Sequence, residues 1–139
     1  MEAIFSHRLE VRFADCDPLG HANNAKYLTY LEQARLRHWQ ALWGFGTNLR
    51  DEPGVILAHA EIDFRLSARF GDILDVRIGL AAVGRTSFTY DYEIVDASGR
   101  LIATARTVQV MYDYRASQPI PIPEGIRTKL TARATGARD

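Results

Sequence analysis

A single long stretch of helical periodicity, followed by sheet-like alternation almost to the end, constrains this chain more than any other feature. Leu28, Leu31, Ala34, Arg35, His38 and Leu42 recur at the three-and-four spacing that places side chains on one helical face. Asn23 or Asn24 can cap the start, because an Asx side chain accepts bonds from the free amides of a first turn. Gly44 or Gly46 supplies the stop. The pattern predicts one amphipathic helix over residues 25–43. Ahead of it, Leu9, Val11 and Phe13 oppose Arg8, Glu10 and Arg12, which predicts a half-buried strand over residues 8–13. Behind it, Ala60, Ile62, Phe64 and Leu66 oppose His59, Glu61, Asp63 and Arg65. Leu74, Val76, Ile78 and Leu80 then oppose Asp75 and Arg77, and Phe88, Tyr90, Tyr92 and Ile94 oppose Thr89, Asp91 and Glu93. Gly71-Asp72, Gly84-Arg85 and the 96–99 stretch ending in Gly99 are the turns between them. Residues 101–112 alternate poorly, as a strand covered on both faces would. Pro119, Pro121 and Pro123 make an extended linker, and residues 124–134 a terminal helix.

The order is therefore strand, helix, then four strands able to pair as consecutive antiparallel hairpins. One helix must serve a whole sheet, so the fold class is α+β, an antiparallel sheet of about five strands wrapped around one long central helix. Residues 1–139 read as one domain, with no internal repeat. Cys16 stands alone, which excludes an internal disulfide framework and fits a reducing, cytoplasmic setting. The first residues lack the basic start and apolar core of a secretion signal, and no apolar run spans a bilayer, so no membrane partner is expected. Lys plus Arg and Asp plus Glu both number 17, a balance that argues against nucleic acid as a partner. Near-neutral small domains tend to associate, and one helix covers a wide sheet incompletely, so a homodimer or homotetramer is expected.

The segment from Val11 to Arg35, VRFADCDPLGHANNAKYLTYLEQAR, carries the chemistry. Asp17 stands in a turn stiffened by Pro18 and Gly20, just ahead of the helix. A helix N-terminus offers unpaired amides and about half a positive charge. Those amides can hold the oxygen of a polarised carbonyl while a carboxylate attacks it or activates water. On local grounds alone, Asp17 is equally a turn residue hydrogen-bonding its own backbone. Asp15 has that same plain reading and lies nearer the strand.

Beyond these physical grounds, the segment resembles the opening signature of the 4-hydroxybenzoyl-CoA thioesterase family of the hotdog superfamily. The likeness rests on Arg12, Phe13, Asp15, Asp17, Gly20, His21, Asn23, Asn24, Tyr27, Glu32, Ala34 and Arg35. It continues through EIDFRLSARFGDILDV, GRTSFTYDYEI, LIATARTVQVMYD and IPIPEGIRTKL. Departures are Ser67-Ala68, where proline is usual, and Ala22, where a β-branched residue is common. The resemblance implies a hotdog fold, hydrolysis of an acyl-CoA to a carboxylic acid and coenzyme A, and sites lying between subunits. It implies Asp17 as the catalytic carboxylate and the backbone amide of Asn24 as oxyanion donor. Coenzyme A then enters as part of the substrate, and no separate cofactor is expected.

Other residues carry two readings each. His21 orients substrate or shares a proton with Asp17, or else only fixes the loop. Asn23 and Asn24 are caps that can also shape the site, and Tyr27 is core or pocket wall. Glu32 lies about 12 Å along the helix from Asn24, too far for the same carbonyl, and is expected to pair with Arg35. Cys16 has no base beside it and reads as a small buried-edge residue. His7, His38 and His59 lack metal-ligand spacing, so no metal is expected. Arg65 and Arg85, like Arg69 and Arg106, are candidates for the coenzyme A phosphates or are simply solvated sheet positions. The rival activities are a hotdog dehydratase or hydratase on acyl thioesters and an acyl-CoA binding domain without turnover. A dehydratase would want a His paired with an acid, and here Gly20-His21 is followed by Ala22-Asn23.

Overall fold

A computed structural model describes residues 1–44 and 54–134. Strand β1 (Phe5–Glu10) is followed by a 3-10 turn (Phe13–Asp15) and helix α1 (Asn24–Trp43). Then come β2 (Gly54–Phe64), β3 (Ile73–Val83), β4 (Ser87–Asp96), β5 (Leu101–Asp113), a two-residue β6 (Gln118–Pro119) and helix α2 (Glu124–Ala134). Asn23 caps α1 by accepting from Ala25 N, and Gly44 closes it in the left-handed conformation at φ 73°. A left-handed C-cap favours glycine because no Cβ is there to clash. Gly46, the other candidate stop, lies outside the described residues. No helix among them is long and apolar enough to cross a membrane.

The sheet is antiparallel in the order β1-β3-β4-β5-β2, with β6 on the end of β5. Only β3, β4 and β5 form the expected consecutive hairpins. β2 does not pair with β3; it crosses to the opposite edge and pairs with β5, Phe64 against Ala103 and Val55 against Met111. Alternation reports which face a residue takes, not which strand lies beside it. The connection over residues 65–72 must step across the intervening strands, roughly 14 Å at ordinary spacing, well within its reach. It is anchored on the way: Arg65 N and Leu66 N both donate to Ile102 O, and Ala22 N donates to Ala68 O.

Two further expectations are corrected. The first strand ends at Glu10, and Phe13 is 79% exposed in the 3-10 turn, where Asp15 draws the chain inward. The sheet is also served by two helices, because α2 packs on β3 and α1 through buried Ile126 and Leu130. The core lies between the helices and the inner face of the sheet. Leu74, Val76 and Ile78 of β3 and Phe88, Tyr90, Tyr92 and Ile94 of β4 meet Leu31, Ala34 and Trp39 of α1. Each buried Val, Leu, Ile or Phe among them contributes about 1.5–3 kcal/mol by leaving water. The poor alternation of β5 has a different cause from the one expected: its inner face carries buried Thr107 and Gln109 among the apolar residues. On the outer face, the pairs Arg8–Asp75 (3.0 Å) and Arg106–Asp91 (2.6 Å) are solvated and add little stability.

Candidate active site

The loop between β1 and α1 is braced from inside by Asp15. Its Oδ2 accepts from Arg12 N (3.0 Å) and from the Tyr30 hydroxyl (2.9 Å), and its Oδ1 from Arg12 Nη2 (2.9 Å). Its backbone oxygen accepts from Asn23 N at 2.8 Å, tying the loop to the helix cap. Burial pushes the Asp15 carboxyl up, but the bonds from Arg12 and Tyr30 outweigh it and hold it below its ordinary value. Burial, and next the bond to Asp15, push the Tyr30 hydroxyl well above the ordinary range. Asp15 is spoken for on both oxygens, so it is a poor nucleophile.

Asp17 is placed differently. Its backbone NH donates to His21 O and its carbonyl accepts from Gly20 N, both at 2.9 Å, with Gly20 at φ 83° closing the turn. One carboxylate oxygen accepts from Leu19 N at 2.9 Å, and the other has no hydrogen-bond partner among the described residues. The half-buried Asp17 lines a cleft of about 390 Å³ at the start of α1. His21, Asn23, Asn24, Tyr27 and Arg65 line it too, so the structure brings these sequence candidates together with Asp17. In the first turn of α1, Ala25 N is taken by the Asn23 side chain at 3.0 Å and Lys26 N by Asn23 O at 2.8 Å. Asn24 N–H has no such partner among the described residues, which leaves it open to a ligand oxygen.

Tyr27 is pocket wall and core at once. It is buried, its hydroxyl accepts from Ala68 N at 3.3 Å, and its ring stands edge-on to Phe64 at 5.3 Å. Burial pushes its hydroxyl above the ordinary value. His21 is half-buried and its backbone bridges to Arg69. Arg85 does not join the others. It lies in the turn after β3, at the opposite end of that strand, roughly 35 Å from the cleft. Spacing along the chain could not show which end of the sheet each turn occupies. Glu32 also differs from expectation: it forms no ion pair with Arg35, because Arg35 turns inward and donates to the Tyr92 hydroxyl at 3.2 Å. Cys16 is half-buried with its Sγ 3.6 Å from Arg12 O. No group of three or more His, Cys, Asp or Glu among the described residues is arranged to hold a metal. Sequence reasoning missed the far wall, Phe64, Leu66 and Ser67, which arrives from the end of β2 through a strand order no local pattern encodes.

Comparison with known proteins then decides the family, since the profile of the thioesterase-like superfamily matches residues 11–130. The chain belongs to the thioesterase-like superfamily. Among the relatives of this superfamily member is a 1,4-dihydroxy-2-naphthoyl-CoA hydrolase of Synechococcus elongatus, 31% identical over 95% of this chain and 98% of its own. A thioesterase from Thermus thermophilus, solved with coenzyme A and Zn, superposes with a TM-score of 0.84 at 32% identity, covering 97% of this chain and 98% of that one. A 1,4-dihydroxy-2-naphthoyl-CoA thioesterase from Synechocystis gives a TM-score of 0.84 at 27% identity, covering 91% and 95%. The expected hotdog fold, a sheet wrapped on one long helix, is the fold of this superfamily member, with α2 as the addition. The match stands at the superfamily, one level coarser than the 4-hydroxybenzoyl-CoA thioesterase family that the front motif resembles.

Proposed function

We propose that this thioester hydrolase cleaves an acyl-CoA to a free carboxylic acid and coenzyme A, using Asp17 and the Asn24 amide. The observation that carries the reading is one cleft lined by a carboxylate oxygen and a helix-start N–H that have no partner among the described residues. In the reaction, the thioester carbonyl oxygen lies against Asn24 N–H, which stabilises the charge that develops there. Asp17 either attacks the carbonyl carbon, giving a mixed anhydride that water then opens, or takes a proton from the water that attacks. Both routes break the C–S bond, and the thiolate leaves with a proton as coenzyme A. His21 borders the same space and orients substrate or shares the Asp17 proton. Arg65 at the rim meets the negative charge of the nucleotide, and the front motif carries the narrower assignment to the 4-hydroxybenzoyl-CoA thioesterase family. Coenzyme A enters as part of the substrate, with no further cofactor.

The working unit in this reading is a homodimer or a tetramer of dimers. β2 is an edge strand of eleven residues whose Leu57 and Phe64 are each 47% exposed. Pairing that edge with its two-fold mate satisfies its open amides and covers those side chains. Phe64 also lines the cleft, so the same step would complete the site.

A thiol-release assay across aryl-, short- and long-chain acyl-CoAs tests the activity, with Asp17→Asn as control. The variant is expected to lose at least a hundredfold in kcat, about 2.7 kcal/mol, while melting as the wild type does. A variant keeping more than a tenth of wild-type turnover removes Asp17 from the mechanism. Formation of a conjugated enoyl absorbance without thiol release makes the protein a dehydratase instead.

A further inference from the structure

Tyr30 takes no part in the proposed mechanism. Among the described residues, however, it is the one side chain from the body of α1 that hydrogen-bonds to the loop carrying Asp17. It lies six residues past Asn24, about 9 Å along the axis. Helical side chains lean back toward the N-terminus, which brings its hydroxyl up to the helix start. There it donates to Asp15 Oδ2 at 2.9 Å. The backbone oxygen of the same Asp15 accepts from Asn23 N at 2.8 Å. Two bonds from α1 to one residue fix its orientation, where either alone would leave a pivot.

Asp15 therefore stands between the two groups that the hydrolysis needs. Asp17 follows it by two residues, and the Asn23 that it holds precedes the Asn24 amide by one. The bonds at Asp17 itself run to His21, Gly20 and Leu19, inside the loop, and Ala22 N ties the loop to Ala68 O on the β2–β3 connection. None of these places Asp17 against α1. Arg12 also grips Asp15, but it belongs to the same loop, and at 2.9 Å it balances the Asp15 charge. The clamp thus brings no unpaired charge beside Asp17. Tyr30 is 5% exposed and its ring packs edge-on to Tyr27 at 5.7 Å, so the hydroxyl has a fixed anchor. With the Asp15 carboxyl held below its ordinary value and the Tyr30 hydroxyl above, acceptor and donor keep these roles at neutral pH.

We propose that Tyr30 is a positioning residue for the hydrolysis: through Asp15 it holds the Asp17 carboxylate in reach of the carbonyl that the Asn24 amide polarises. The inference rests on the hydrolytic reading above. Alignment of this kind counts most as the barrier is crossed, and a displacement of ~1 Å costs about a hundredfold in rate. A group that only stabilises the fold leaves the rate of the folded enzyme as it was.

Tyr30→Phe keeps the ring and removes the donor. It is expected to lower kcat at least tenfold while KM stays within twofold of wild type. Ile126→Val, a core change in α2, is the stability control and should keep kcat within twofold. Asp15→Asn and Tyr30→Phe act through one bond, so the double variant should be no more than about twofold slower than the slower single variant. Tyr30→Phe with wild-type kcat overturns the proposal, and so does a loss shared by Ile126→Val or losses that multiply in the double variant. Amide hydrogen exchange reads the clamp without turnover. Arg12 and Asn23 N–H should exchange at least tenfold faster in Tyr30→Phe, while Leu31 and Ala34 in the middle of α1 keep their protection. Unchanged exchange at Arg12 and Asn23 overturns the clamp. A wild type that releases no thiol sinks the hydrolysis reading instead, and exchange still decides whether Tyr30 sets the loop against the helix.

Discussion

Asp15 and Asp17 are two residues apart, yet their surroundings give them opposite tasks. Asp15 has both oxygens engaged by Arg12 and Tyr30, whereas Asp17 keeps one oxygen open to the cleft. Because the folded Asp15 carboxyl titrates below its unfolded value near 3.9, its stabilisation is present above about pH 4 and is lost as pH falls through the lower folded value. Asp15→Asn is therefore expected to cost about 1–3 kcal/mol at neutral pH, with the gap to wild type closing under acid. Denaturant titrations from pH 7 to pH 3 check this. A gap that stays constant over that range means Asp15 is not the bonded anion described. Part of this division was legible in the chain. Asp-Pro before a helix start marks Asp17, but nothing in the spacing shows that Tyr30, fifteen residues on, reaches back to Asp15. Arg35 was misread for the same reason: a charged residue at helical spacing looks like a surface partner for Glu32 until the sheet brings Tyr92 beneath it.

At the scale of elements, α1 was the most readable, because Asn23 and Gly44 give chemical signals at both ends. β1 was read too far along, since Phe13 continues the alternation by chance after the hydrogen-bonded ladder has stopped at Glu10. Asn23 joins structure to chemistry, because its side chain caps α1 while the next amide is the proposed oxyanion donor. Asn23→Asp separates these roles. Aspartate caps as well as asparagine and favours the positive helix end, so melting is expected to stay within about 0.5 kcal/mol of wild type. The added negative charge faces the oxygen that becomes anionic in the transition state, so kcat should fall at least tenfold. Unchanged turnover in this variant would remove the first turn of α1 from the site.

For the whole molecule, strand order is what the chain conceals, and assembly follows from it. The long β2 ends up on an edge with apolar side chains beside it, so light scattering at micromolar protein is expected to give at least twice the 15.7 kDa of one chain. A fully active species of single-chain mass sinks both the assembly and the shared cleft. The crossing of β2 to the far edge has one more consequence, and it concerns time. β3, β4 and β5 are neighbours in sequence and close on one another through short turns, whereas β2 must find β5 across the whole meander. Closing that loop costs more entropy than closing either hairpin of β3, β4 and β5, and non-local pairings form slowly. Phe64, Leu66 and Ser67, the outer wall of the Asp17 cleft, travel with β2. In refolding from denaturant, strand signal in the far-ultraviolet is thus expected to recover before the capacity to turn over thioester, and catalysis becomes the last clock to start.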